Sequence, residues 1–182
     1  MIKSIQLLGS LALILVFSIE VKAQTLPKEM FEKFGALAGW MNTPLINSHI
    51  EESAELNVKF HLLLDETIIK DSKIIPLGKV ENGKSVILLY IIAEYTEDGK
   101  LDFFNLHAAT LNQKTGEKTS SEKYLLAGGT RGKSIYNGSY KLKEKGLMVI
   151  SQNEINTETD SETILVKEYL FQKGLKYIRT IE

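Results

Sequence analysis

The chain contains no cysteine among its 182 residues. This absence excludes disulfide bonds, zinc–cysteine sites, iron–sulfur clusters and thiol nucleophiles. We therefore expect a fold that is held together by its apolar core alone.

No charge of one sign dominates, because 22 Lys and Arg residues face 23 Asp and Glu residues. The densest basic run, from Lys141 to Lys145, is interrupted by Glu144 and is followed by a glycine. Stripes that bind nucleic-acid phosphates are larger and purely basic. We therefore interpret this run as a solvated turn, and we expect no nucleic-acid partner.

Long apolar runs are scarce as well. The uncharged run from Ser4 to Ile19 is shorter than the roughly 20 residues of a membrane-spanning helix. It follows Lys3 and precedes the small residues Val21 and Ala23, a pattern typical of a cleaved secretory signal. We predict a signal peptide over residues 1–23 and one mature domain over 24–182. That domain would have no transmembrane segment and would be exported to the periplasm or the extracellular space. A retained anchor is the alternative.

The mature chain opens with a helical pattern over residues 27–42. Pro27 suits a first helical turn, and apolar residues recur with a period of 3.6 at Met30, Phe31, Phe34, Leu37, Ala38 and Met41. We predict an amphipathic helix that covers one face or plugs one end of a sheet, with docking to a membrane surface or a partner as the alternative. Ser48 and Glu51 have the spacing of a capping box, which predicts a second short helix from Ser48 to Leu56.

Strands are predicted from about residue 57 to residue 181, where runs rich in Val, Ile, Leu, Tyr and Phe alternate with glycine turns. The turn signals are Asn82-Gly83, Asp98-Gly99, Thr115-Gly116, Asn137-Gly138, Lys145-Gly146 and Lys173-Gly174. Strands that are joined by tight turns pair antiparallel with their neighbours. The fold class is therefore mainly β, an antiparallel meander of about 8–10 strands that forms a barrel, a strongly curved sheet or a two-sheet stack. Residues 86–93 are apolar at every position, which predicts a central strand that is covered on both faces.

The string AGGTRGKS at residues 127–134 resembles the phosphate-binding P-loop. A P-loop must lead directly into a helix, whose N-terminal N–H groups hold the phosphates. Here the hairpin signal Asn137-Gly138 follows Ser134 almost at once. We therefore predict a connection between strands and no bound nucleotide.

The candidate site lies in the strand from Leu101 to Asn112. Strand alternation places Asn105 and His107 side by side on the same, mostly apolar face as Phe103. We predict that these three residues line a cavity for a small apolar ligand. The alternatives are a buried polar pair satisfied by backbone or water, and His107 as a general base.

No other chemistry has a coherent sequence signal. The three histidines His49, His61 and His107 lack metal-ligand spacing, and no Gly-x-Ser-x-Gly motif marks a serine nucleophile. We therefore identify no catalytic residue, and we expect neither a cofactor nor a metal.

The order of signal, short helix and hairpins resembles the small exported lipocalin-like β proteins of Gram-negative envelopes. The resemblance covers architecture only and implies no site residues. We predict a non-catalytic binding module for a small apolar ligand or an envelope partner. The alternative is an envelope or extracellular hydrolase whose site is assembled from distant residues.

Overall fold

The computed structural model describes residues 28–56, 60, 64, 71–171 and 174–181. The predicted signal peptide, Pro27, His61 and Lys173 lie outside these residues. The described elements, in chain order, are α1 (Lys28–Phe31), β1 (Trp40–Asn42), α2 (Thr43–Glu52), β2 (Ser72–Asn82), β3 (Ser85–Tyr95), β4 (Leu101–Asn112), β5 (Lys118–Arg131), β6 (Ser134–Lys143), a 3-10 turn (Glu144–Gly146), β7 (Leu147–Asn156), β8 (Ser161–Phe171) and β9 (Leu175–Ile181).

The strands form one antiparallel sheet in which β2 to β9 follow each other in chain order, and the short strand β1 pairs with β6. This confirms the prediction of a mainly β, antiparallel meander. The sheet is not closed into a barrel, because β2 and β9 stand at its two ends and do not pair with each other in the described part of the chain. No described helix is long and apolar enough to cross a membrane.

Two hydrophobic clusters define the two faces of the sheet. The larger cluster takes residues from α2 and from every strand, so both ends of the sheet share it, and we call the face that carries it the inner face. The smaller cluster lies on the opposite, outer face of β2, β3 and β4, where Met30, Phe34, Leu56, Phe60 and Leu64 cover the strands.

Strand β3 is buried on both sides. Its residues from Val86 to Ala93 are all buried and alternate between the two clusters. The prediction of a central strand covered on both faces is confirmed.

The predicted helix over residues 27–42 is wrong beyond Phe31, where α1 ends. Met30 and Phe34 enter the outer cluster, whereas Leu37 packs against the inner one. The chain therefore crosses the edge of the sheet instead of continuing as a helix, and two glycines in this stretch would each cost a helix about 1 kcal/mol.

Edge strand β2 holds this crossing segment by its backbone. Lys79 donates its N–H to the carbonyl of Gly35 (2.8 Å) and accepts from Leu37 (3.2 Å). Gly78 is required here, because a Cβ at that position would lie 2.7 Å from the Cα of Leu37. The apolar residues that recur with a period of 3.6 therefore contact the two faces of a sheet and do not form one stripe of a helix.

Helix α2 begins five residues earlier than the predicted start at Ser48 and ends at Glu52. Its N-cap is Asn42, whose Oδ1 accepts from the N–H of Leu45 (3.1 Å), and Pro44 stands in its first turn. Ile46 and Ile50 enter the inner cluster. This helix, rather than residues 27–42, covers part of the inner face.

The Asn137-Gly138 pair is not a hairpin, because both residues lie inside the continuous strand β6. The β5–β6 turn falls at Gly132, whose φ is 61°. The string AGGTRGKS is therefore itself a β-hairpin, and Ser134 begins a strand rather than the helix that a P-loop requires. The prediction of a connection between strands is confirmed, although the turn lies earlier than we inferred.

The first predicted strand, residues 57–65, lies mostly outside the described residues. Its described members Phe60 and Leu64 are joined by a helical hydrogen bond from the N–H of Leu64 to the carbonyl of Phe60 (3.0 Å). The strand prediction is wrong at these two positions.

The sheet has a split between β5 and β6. These strands pair only at the end that carries Gly129 to Arg131, and β1 takes over as the neighbour of β6 from Ser139 onward. Thr43 bridges the gap between the two neighbours, since its Oγ1 accepts from the N–H of Gly138 (2.7 Å) and donates to the Gly138 carbonyl (3.1 Å). The first residue of α2 thus replaces a missing strand partner.

Candidate functional site

The predicted pair Asn105 and His107 is buried on the outer face of β4. Their cross-strand neighbours on β3 are Ile92 and Tyr90, and the rings of Tyr90 and His107 stack with centroids 5.5 Å apart. Asn105 is 5% exposed, and its Oδ1 accepts no hydrogen bond from the described residues. The structure therefore brings Asn105 and His107 together in an apolar layer, as the alternation predicts.

Phe103 belongs to a different neighbourhood. Its ring meets Tyr136 edge-on at 5.5 Å, and the guanidinium of Arg131 lies over it at 4.6 Å. Arg131 also donates to Glu94 at 2.8 and 3.1 Å. This cation–π and ion-pair stack braces the corner at which β5 turns into β6.

The same corner contains a carboxylate, that of Glu154 on β7. Glu154 Oε1 accepts from the hydroxyls of Ser134 (2.7 Å) and Tyr136 (3.0 Å). Burial raises the pKa of Tyr136, and the hydrogen bond to Glu154 raises it further. Both hydroxyls donate to one acceptor without an imidazole among them, so the arrangement fixes geometry and does not activate Ser134 as a nucleophile.

A serine–histidine pair occurs at the end of α2. His49 Nε2 lies 2.9 Å from Ser53 Oγ and 3.0 Å from the carbonyl oxygen of Pro76. A carbonyl can only accept, so this contact requires a proton on Nε2. That nitrogen is then unable to take a proton from Ser53, and we interpret His49 as a tether between α2 and β2.

No group of three or more His, Asp or Glu side chains that could hold a metal ion occurs in the described residues.

Two surface clefts lie at the hairpin ends of β2–β3 and β4–β5. One has a volume of about 330 Å3 between Phe31, Lys79 and Gln113, and the other has about 530 Å3 between Lys84 and Lys114. Neither is lined by Phe103, Asn105 or His107. Sequence reasoning did not identify these clefts, because each is built from turns that are distant in the chain.

The outer face of β6 to β9 carries exposed apolar side chains. Cross-strand partners share a face and alternate residues change face. The register therefore places one large exposed residue of each strand β1, β6, β8 and β9 on this face, namely Trp40, Ile135, Ile164 and Ile181. The remaining large exposed apolar residues of the described chain are Leu45, Tyr177 and Ile178.

We call this surface the open outer face. The N-terminal residues that cover the outer face pack on β2, β3 and β4, and among the described residues none of that layer extends to β8 or β9. Ile164 is the most exposed of these apolar side chains, at 64%. The sequence carries a partial signal here, because Glu162, Lys167 and Glu168 stand among the apolar residues of β8, which is typical of a strand with at least one wetter face.

Comparison with known proteins gives no match to any protein family, curated protein or solved structure.

Proposed function

We propose that this chain is a non-catalytic, exported binding module that recognises an envelope protein through the open outer face. The observation that carries the proposal is the placement of Ile164 and Ile181, with Ile135, on one face of β6 to β9. Contiguous exposed apolar patches with polar surroundings mark sites of interaction with other macromolecules.

The contact is made by side chains rather than by addition of a strand to β9. This edge strand has a register irregularity opposite Glu168 and Tyr169, and it carries Lys176 and Arg179. Bulges and charges on an edge strand discourage pairing with a further strand. The proposed partner therefore packs on the face of the sheet.

Site-specific photocrosslinking in the producing cells tests the proposal. A photoreactive residue at Ile164 is expected to capture one defined envelope protein, and the same residue at Thr115 in the β4–β5 turn is the control. Adding Ile181→Glu to the Ile164 crosslinker should abolish the capture, since a charge in the apolar contact leaves a carboxylate without water. Equal capture from both positions, or capture that survives Ile181→Glu, would refute the proposal.

A small apolar ligand in the outer layer is the second candidate function. Asn105 supports a ligand that is mostly apolar but carries one hydrogen-bond donor, because the buried Oδ1 of Asn105 lacks a donor among the described residues. A buried polar atom of this kind calls for a partner. Native mass spectrometry of the protein from its own envelope should show an added mass that Asn105→Leu removes, and a bare protein mass would eliminate this candidate.

The alternative of a hydrolase rests on the contact between Ser53 and His49 in the described part of the chain. The contact of His49 Nε2 with the Pro76 carbonyl opposes it. Hydrolysis of ester, glycoside or peptide substrates that is lost in Ser53→Ala would favour the hydrolase over the binding module.

A further inference from the structure

A second surface, distinct from the β8–β9 part of the open outer face, combines an exposed tryptophan with lysines. Trp40 is the single tryptophan of the chain and is 49% exposed. It pairs across the strands with Lys141, and Lys143 follows on the same side of β6. Lys145 stands in the turn that follows, and all three lysines are exposed.

Leu45 is the next exposed large apolar residue along the chain after Trp40. Met41 points into the inner cluster, so its neighbours Trp40 and Asn42 point outward. Asn42 Oδ1 accepts from the N–H of Leu45, which places the first turn of α2 beside this outward side. Leu45 is 45% exposed.

The three lysines have no carboxylate partner among the described residues. Ion pairs do form at Lys73 with Glu55, at Lys100 with Asp98 and at Lys133 with Glu158. In the run from Lys141 to Lys145 only Glu144 is acidic, so the surface keeps a positive charge.

We propose that this Trp40–lysine surface docks on an anionic lipid bilayer. Tryptophan is enriched at membrane–water interfaces, where its ring lies among the headgroups. Lysine is depleted in protein–protein interfaces, whereas each lysine near an anionic leaflet contributes favourably to binding. The combination of the two residue types therefore favours a bilayer over a second protein, and it is independent of the protein partner proposed for β8–β9.

The intrinsic fluorescence of Trp40 tests this inference directly, because no other tryptophan contributes to the signal. The full chain, in the form that accumulates in the producing cell, is titrated with vesicles of phosphatidylglycerol and phosphatidylcholine at a ratio of three to seven. We expect a blue shift of the emission that is much weaker with pure phosphatidylcholine and that added salt reverses. The local probe separates this contact from any binding through the N-terminal apolar run.

Matched lysine variants supply the control. The pair Lys141→Gln and Lys143→Gln should weaken vesicle binding by about 30-fold, from roughly fivefold for each lysine. The pair Lys100→Gln and Lys133→Gln removes the same charge in the β3–β4 and β5–β6 turns, at the opposite end of the sheet, and should leave binding within about twofold. An unshifted Trp40 emission, an equal shift with pure phosphatidylcholine, or an equal loss in both pairs would overturn the inference.

Discussion

Gly138 lies at the split between β5 and β6, where the backbone leaves no room for a side chain. A Cβ at this position would lie 2.9 Å from the carbonyl oxygen of Ser151 and 3.2 Å from the side chain of Leu126. We predict that Gly138→Ala lowers the free energy of unfolding by about 1–3 kcal/mol, the usual range for overpacking. Urea denaturation followed by circular dichroism measures this change.

Gly35→Ala is the matched control for Gly138→Ala. Among the described residues, its two chain neighbours aside, no atom lies within 4 Å of a Cβ at Gly35, and the φ of Gly35 is not positive. The variant should be neutral or more stable by up to about 1 kcal/mol, because alanine restricts the unfolded chain. If both variants lost the same free energy, crowding at Gly138 would not be the cause.

Tyr169 makes stability depend on alkaline pH. Burial raises the pKa of its phenol to about 12 from 10.0, with Glu122 and Tyr177 adding to the shift. The folded state holds this proton more tightly than the unfolded state does, so the contribution is complete below pH 10 and is lost as the pH rises towards 12. Tyr169→Phe should therefore reduce the fall in unfolding free energy between pH 10 and 12, by an amount on the order of 2 kcal/mol.

An absorbance titration of the folded protein near 295 nm provides the check on Tyr169. The wild type should show one more late-ionising phenol than Tyr169→Phe. A fall in stability that is equally steep in both proteins would contradict the assignment to Tyr169.

At the scale of elements, two side-chain hydrogen bonds hold the start of α2: Asn42 caps the helix, and Thr43 ties it to β6. Thr43→Val keeps the shape of the side chain but removes the hydroxyl that satisfies both backbone groups of Gly138. We expect a loss of about 2–3 kcal/mol, because two partly buried backbone groups then lose their partner. Asn42→Ala removes only the bond to Leu45 and should cost about 1 kcal/mol. Thermal and urea unfolding of the two variants would rank them, and the reverse order would contradict the bridging role of Thr43.

The continuity of β6 through Asn137 can be tested separately from Gly138. In a two-residue hairpin turn Asn137 would need a positive φ, which a β-branched residue adopts only with strain. Inside a strand, threonine is favoured instead. We predict that Asn137→Thr is neutral or slightly stabilising in urea denaturation, and a loss above about 1 kcal/mol would indicate a turn.

The strands and most turns could be predicted from the sequence because their signals are local. Period-two patterns and the positive φ of Gly83, Gly99 and Gly116 need no distant contact. Whether Asn137-Gly138 forms a turn or part of a strand depends on Thr43, which is 95 residues away from Gly138. The prediction of a helix over residues 27–42 was wrong for the same reason, because the backbone of Gly35 and Leu37 bonds to Lys79 instead of forming helical hydrogen bonds.

The candidate site was predictable only in part. Alternation placed Asn105 beside His107, because both belong to one strand. The separate surroundings of Phe103 depend on Arg131 and Tyr136, which β5 and β6 bring in from later in the chain. The open outer face depends on the register of four strands, which no single stretch of sequence contains.

At the scale of the whole molecule, the two edges of the sheet differ. The carbonyl of Ile74 in β2 accepts from Leu56 (2.8 Å), and Lys79 bonds to Gly35 and Leu37, so the crossing chain shields that edge. In edge strand β9, the irregular register and the charged residues discourage pairing with a further strand. The N-terminal layer then covers the outer face of one half of the sheet, and the apolar residues of the other half remain exposed.

The central claim is that this open outer face is a binding surface. Hydroxyl-radical footprinting with mass spectrometry measures it most directly, by comparing the purified protein with the same protein in its native envelope. The account predicts that Ile164 and Ile181 are oxidised readily in the purified protein and are protected several-fold in the envelope, whereas the exposed Ile178 on β9 changes less. Equal oxidation of Ile164 and Ile181 in both preparations, or their protection already in the purified protein, would contradict it.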